Sequence, residues 1–441
     1  MNLSKPTRMT AVAAVFALGL TACGGGGGGE PESSGNGGGD PTGQPGGSYS
    51  ATITEPTFLA PSSNCYESEC SKVVNLIQEP LLNVDPESGE VVYDGLLESV
   101  ESDDSTVWTI KIKPGLKFQN GEDVNAESFI RAWEYSSNPK NAQATAGFMS
   151  HIKGAGKGKS LAGVKAVDDQ TLEVTLNNAF SQFPQMMSYT PAFAPMAQEC
   201  LDDVKACNEE PIGTGPYMMD GPWKHDESIT VTKWPDYQGD MTAVADTIEF
   251  QMFTDGVAAW RDFQNGGVDI ISPLDPTVYL EAKGQLGDKI IEEPTATLTY
   301  LGLPVTKPPF DNPQVRQAIS MSIDREQIIE QVLNGNAFAS TDIVTPPIPG
   351  SRDDACNYCT YDPEQAKQLL EESGVDPAGQ TIDYYFNADA GHDGWVEAAA
   401  RQVQENLGFD YKLNSQEWAK YLTFLDGKKF TGPFRLGWSL D

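Results

Sequence analysis

Few side chains in this chain are placed to do covalent chemistry. There are three histidines, His151, His225 and His392, and seven cysteines. Nucleophilic hydrolysis needs a Ser or Cys beside a His base and an orienting acid, and no Gly-x-Ser-x-Gly elbow occurs. Metal-dependent hydrolysis needs a cluster such as His-Glu-x-x-His, and none is present. Gly154-Ala155-Gly156-Lys157-Gly158-Lys159-Ser160 imitates a phosphate loop, but the first glycine of that pattern falls on Lys153. Cys356-Asn357-Tyr358-Cys359 has redox or zinc spacing, yet no histidine lies near a cysteine pair at ligand spacing. The expectation is a protein that is not an enzyme and carries no metal or cofactor.

The cysteines have another use. Lys5 and Arg8 precede an apolar or small-residue run, Met9 to Leu20, which is too short to span a bilayer. Leu20-Thr21-Ala22-Cys23 then resembles a bacterial lipobox, in which the cysteine is lipidated and becomes the N-terminus. Residues 1–22 are read as a lipoprotein signal peptide and Cys23 as the lipidation site. Acyl chains there would give stable membrane anchoring. The remaining cysteines come in close pairs, Cys65/Cys70, Cys200/Cys207 and Cys356/Cys359. In an exported chain an even count reads as disulfides. Several connectivities are open, and the local one is expected: Cys65-Cys70, Cys200-Cys207 and Cys356-Cys359.

Residues 23–47 are almost entirely Gly, Pro, Ser, Asn and Asp. They bury too little to offset ordering entropy and read as a flexible tether. The chain as a whole is strongly acidic, with a formal net charge of −34. That argues against nucleic acid and anionic membrane surfaces as partners.

The elements that would position any site alternate between strand and helix. Strands are expected over 52–58, 91–93, 108–112, 172–176, 229–233, 247–253 and 268–271. Helices are expected over 71–82, 126–136 behind an Asn125 cap, 257–265, 313–318, 326–333, 363–372 and 398–406. This is an α/β body, and the lack of a long internal linker points to lobes built from non-contiguous segments.

Trp108 to Trp133, WTIKIKPGLKFQNGEDVNAESFIRAW, resembles the signature of the peptide/nickel/opine class of extracellular solute-binding proteins, family 5. Pro211 to Tyr217 (PIGTGPY), Phe263 to Ile270 (FQNGGVDI), Phe310 to Ile319 with Ile323-Asp324-Arg325, and Tyr361 to Lys367 (YDPEQAK) follow in that family's order. Glu127 and Ser128 depart from its usual residues. Gly121 and Gly215 suit turns. Arg316, Asp324 and Arg325 read as buried or half-buried charges that pair with one another or cap helices.

The resemblance implies a periplasmic-binding-protein-like class II fold with two cleft lobes and an inserted third lobe. The first cleft lobe would take residues 48–71 and 213–294, the inserted lobe 72–212, and the second cleft lobe 295–441. It also implies a function: an extracytoplasmic lipoprotein in the periplasmic space or at the cell membrane face, a monomer, that binds peptides and hands them to ABC-transporter permease subunits. The alternative is the same scaffold binding an oligosaccharide, opine or nickel complex. Arg435-Leu436-Gly437-Trp438-Ser439-Leu440-Asp441 resembles the family's cleft strand. By that match Gly437 and Ser439 pair with the peptide backbone, Asp441 holds its amine, Arg435 takes its carboxylate and Trp438 forms a wall. Tyr66 and Glu67 are the expected counterparts in the first lobe, and Trp418 and Tyr421 are placed either on the cleft or in the core. Family members run on for roughly another hundred residues, so the expectation is a fragment or a truncated product with an incomplete second cleft lobe.

Overall fold

The computed structural model describes residues 45–439 apart from 63, 86–87, 293–294, 347 and 349. The lipobox with Cys23, most of the tether, and Asp441 lie outside the described residues.

Three four-stranded sheets organise the body, each with its own core. The first has the order Ser48–Ile53, Thr247–Met252, Ser228–Lys233, Tyr217–Met219; its first pair is parallel and the others antiparallel. The strand expected at 52–58 therefore forms earlier. Pro56 has no N–H to give a ladder, whereas Ser48–Ile53 pairs along its whole length with Thr247–Met252. Residues 268–271 make only one bridge, Ala51 to Ile270. Helix Ser68–Ile77 packs Val73, Val74 and Ile77 with Ile53, Tyr217, Val231 and Phe250. It starts three residues before the expected position because Glu67 caps it. Gly215 is not at a positive-φ turn, as Gly121 is (φ 86°). A Cβ on Gly215 would sit 2.7 Å from the Ile77 carbonyl carbon, and its N–H bonds Ile77 O at 2.6 Å. Close backbone approach is what requires glycine there.

The second sheet is antiparallel throughout: Leu97–Glu101, Val107–Ile112, Thr171–Thr175, Val164–Asp168. Val107–Ile112 alternates as its sequence demands, burying Trp108, Ile110 and Ile112. Helix Ala126–Ser137 begins with Asn125 and Ser128 in a reciprocal capping box. It buries Phe129 and Trp133, and the Trp133 indole donates to Phe193 O at 2.9 Å. Each such large side chain contributes roughly 1.5–3 kcal/mol by leaving water.

The third sheet has the order Thr297–Gly302, Phe434–Ser439, Thr381–Asn387, Asp410–Gln416. Thr381–Asn387 and Asp410–Gln416 are parallel and joined by helix Asp393–Leu407, a βαβ unit. Phe310, Val315, Ile319, Leu370, Tyr384, Val403 and Phe409 fill its core. Arg316 and Arg325 do not pair with acids among the described residues. Arg316 donates to the Phe310 and Asp311 carbonyls, and Arg325 to those of Ser320, Ile323 and Cys359. Asp324 caps the helix Arg325–Gln331.

Three cysteine pairs stand at bonding distance: Cys65–Cys70 at 2.17 Å, and Cys200–Cys207 and Cys356–Cys359 at 1.98 Å each. Among the described residues no helix is long and apolar enough to cross a membrane.

Candidate functional site

The strand Phe434–Ser439 has two unlike flanks. On one it pairs antiparallel with Thr297–Gly302 over its whole length, Arg435 opposite Leu301, Gly437 opposite Thr299 and Ser439 opposite Thr297. On the other it meets Thr381–Asn387 only at Phe434 and Tyr385. Backbone N–H and C=O of alternate residues point to opposite flanks of a strand. The Pro433 carbonyl accepts from Tyr385 N at 2.8 Å, and the Arg435 carbonyl lies 2.7 Å from the Tyr421 hydroxyl. The odd-numbered residues therefore face away from Thr297–Gly302. The N–H and C=O of Gly437 and of Ser439 look onto a flank that no described strand covers. An uncovered flank of this kind can accept an extended chain.

Arg435 stands beside that flank. Its Nη1 donates to Asn387 Oδ1 at 3.1 Å. Its Nε is buried and has no hydrogen-bond partner among the described residues. Burial pushes its pKa down to about 10, against the pull of Tyr421, Asp389 and Tyr300. Asn387 Nδ2 in turn donates to Asp389 Oδ1 at 3.1 Å, and Asp389 Oδ2 accepts from Trp418 N at 3.1 Å. Burial raises the Asp389 carboxyl above its ordinary value. His392 is held neutral: burial first, then the Arg435 charge, lower its pKa to about 3, and its Nδ1 accepts from Trp395 Nε1 at 3.2 Å.

Trp438 is 55% exposed, which excludes a core role for it. Tyr421 is fully buried and belongs to the core; Trp418 is half-buried. Tyr66 and Glu67 lie in the loop closed by Cys65 and Cys70. The Tyr66 hydroxyl donates to Asp426 Oδ2 at 3.1 Å. The Glu67 carboxylate is buried and accepts four N–H groups: Thr57 N and Cys70 N on Oε1, Glu69 N and Trp418 Nε1 on Oε2. Burial and then the neighbouring Glu69 raise its pKa, while the N–H groups of Thr57, Glu69 and Trp418 oppose the shift. A groove of about 360 Å³ opens beside these contacts. It is lined by Thr57, Phe58, Asn64 and Tyr66, by Ala142 and Ala144, and by Leu422, Thr423 and Asp426.

Asn387, Asp389, His392 and Asp426 were not singled out from sequence. The signal for the first three is the polar, glycine-containing run Asn387 to Gly394. It lies between a parallel strand and the following helix, where open α/β sheets place ligands.

These sheets, the groove between their loops and the half-open strand define a solute-binding scaffold of the α/β, class II periplasmic-binding-protein kind. The chain belongs to the bacterial extracellular solute-binding proteins, family 5, whose model matches residues 91–440. It is 30% identical over 451 aligned residues to the oligopeptide-binding protein OppA of Bacillus subtilis (strain 168), covering 97% of this chain and 80% of that protein. It is 27% identical to the glutathione-binding protein GsiB of Salmonella typhi, with 77% of this chain and 64% of that protein covered. The chain thus spans about two-thirds to four-fifths of these relatives. The Escherichia coli murein tripeptide binding protein MppA superimposes with a TM-score of 0.80 at 24% identity, over 90% of this chain and 79% of that one. Its unliganded open form covers the same 90% of this chain with a TM-score of 0.60.

Proposed function

We propose that this chain is the extracytoplasmic substrate-binding lipoprotein of an ABC importer, that it binds peptides between its cleft lobes, and that it delivers them to the permease as a monomer. The observation that carries the reading is the uncovered flank at Gly437 and Ser439 with the under-bonded Arg435 beside it. A peptide laid along that flank forms main-chain bonds whatever its side chains, which suits a binder of many sequences. Asp441 takes the peptide ammonium in a charge-assisted bond, Arg435 its carboxylate, and Trp438 lines the wall. Tyr66 and Glu67 stand on the opposite side, Tyr66 at the groove and Glu67 behind it.

The separate cores support a division into lobes. We assign residues 48–77 and 213–294 to the first cleft lobe, since Val73, Val74 and Ile77 pack with its sheet. Residues 78–212 form the inserted lobe, and the second cleft lobe begins near 295. A lipid on Cys23 would anchor the body through the tether.

Calorimetric titration with a mixed di- to pentapeptide pool tests the reading, using this chain and a version extended to the length of its relatives. Heat that disappears when the peptides are N-acetylated supports the peptide and Asp441 assignments. Silence toward peptides with heat from a sugar or metal complex would sink them.

A further inference from the structure

One helix of the third sheet reaches the first. Helix Trp418–Asp426 carries one contact at each end. At its start, Trp418 Nε1 donates to Glu67 Oε2 across 3.3 Å. At its end, Asp426 Oδ2 accepts from the Tyr66 hydroxyl at 3.1 Å. Both partners on the far side belong to the disulfide-closed loop, and Glu67 is held there by three backbone N–H groups as well. On the near side the helix is fixed too, because Trp418 N donates to Asp389 Oδ2. From Asp389 the bonds continue through Asn387 to Arg435 Nη1, each at 3.1 Å. An unbroken series of hydrogen bonds thus runs from the arginine beside the open strand to the cap of helix Ser68–Ile77.

We infer that Trp418 and Asp426 are positioning residues that hold the first and third sheets together through Glu67 and Tyr66, so that the closed cleft is populated without ligand. The consequence for affinity rests on the binding function proposed above; the latch itself does not. Both acceptors are carboxylates, so both contacts are charge-assisted, and the one to Glu67 is partly buried. The Tyr66–Asp426 contact forms part of the groove wall, whereas Glu67 and Trp418 do not line the groove. A ligand that requires the closed form binds more weakly by the fraction of molecules that are closed. A built-in latch raises that fraction, and the ligand then has to supply less of the closing free energy.

The first test uses no ligand. Small-angle scattering on the whole chain compares the wild type with Trp418→Phe, Tyr66→Phe and the double variant. Trp418→Phe keeps an aromatic ring and removes only the indole donor. The wild type should show the compact radius of the structure, and the double variant a larger one. Hydrogen exchange should rise at residues 66–70 and 418–426 but not in the core of the second sheet. Peptide Kd should rise about tenfold in the double variant, as expected for two lost bonds to carboxylates discounted for rehydration. Equal radii for wild type and double variant, compact or expanded, would overturn the latch. Should Trp418→Phe fail to fold, Tyr66→Phe alone carries the same test, since its hydroxyl lies at the exposed rim. If no peptide binds either protein while the radii still differ, the peptide assignment falls and the latch stands.

Discussion

The loop Cys65–Cys70 and the strand Phe434–Ser439 each hold a charged side chain, Glu67 and Arg435, and the two differ in what is left over. Glu67 is a buried carboxylate whose two oxygens accept four N–H groups. Nothing of its bonding capacity remains for a ligand. In the strand, Arg435 Nε is buried without a partner among the described residues, and the outward N–H and C=O of Gly437 and Ser439 face no described strand. Charge alone therefore does not mark a binding residue. Unused donors and acceptors, held in place by neighbours that are themselves satisfied, mark it better.

The comparison breaks most sharply at Glu67. Glu67→Ala removes a helix cap and strands several donors, and should lower stability by about 3 kcal/mol. Glu67→Gln should cost nearly as much, because its amide nitrogen would face donors at one of the two oxygen positions. Chemical denaturation measures both. A loss below about 1 kcal/mol for Glu67→Ala would mean that the four bonds are not what fixes the loop.

The pH dependence at His392 comes next. Its folded pKa is about 3 and its unfolded value 6.5. Between these the unfolded chain takes up a proton that the folded chain refuses. The stabilising contribution is therefore fully present above pH 6.5 and is lost as pH falls toward 3. From pH 7 to pH 5 this group should account for about 2 kcal/mol of lost stability. His392→Asn should remove that part of the slope, as seen in unfolding curves at the two pH values. An unchanged slope would place the histidine in water, away from Arg435.

Much of the scaffold was legible from residues alone. Val107–Ile112 shows its buried face by alternation, and Asn125 announces its helix by capping chemistry. The family's ordered blocks carried the fold class. Local signals failed where tertiary pairing decided the outcome. Ser48–Ile53 is a strand because of a partner about two hundred residues away, and its own sequence says little. Glu67 is expected from sequence at the cleft, and its four donors are not legible there; one of them, Trp418, is 351 residues distant. Arg435 was legible only through the family match, and Asn387 and Asp389, which hold it, carry no motif of their own.

Gly437 offers a smaller and cleaner test of the open flank. Its N–H faces away from Thr297–Gly302, so Gly437→Pro deletes a donor the sheet does not use. Stability should fall by less than about 1 kcal/mol, as for proline at an unpaired strand edge. Peptide affinity should fall about tenfold, the worth of one main-chain bond. Gly437→Ala keeps the N–H, and its Cβ would come only to 3.4 Å from the movable end of Arg435. It should bind nearly as the wild type does. Equal losses from Pro and Ala would trace the effect to bulk and close the case against backbone pairing.

The smallest effect is expected at Trp438. Its side chain is more exposed than buried, so little apolar area returns to water when it is truncated. Trp438→Ala should change stability by no more than about 0.5 kcal/mol, the usual range for surface positions. If the indole walls the cleft, a bound peptide covers part of it, and the variant should bind about threefold more weakly, a modest share of an aromatic contact. The two readouts separate the roles. A stability loss with unchanged affinity would make Trp438 a packing residue of the third sheet. Weaker binding at constant stability would extend the contrast with Glu67 from backbone groups to an apolar surface: Glu67 has nothing left to offer a ligand, and the strand has donors, acceptors and an uncovered ring.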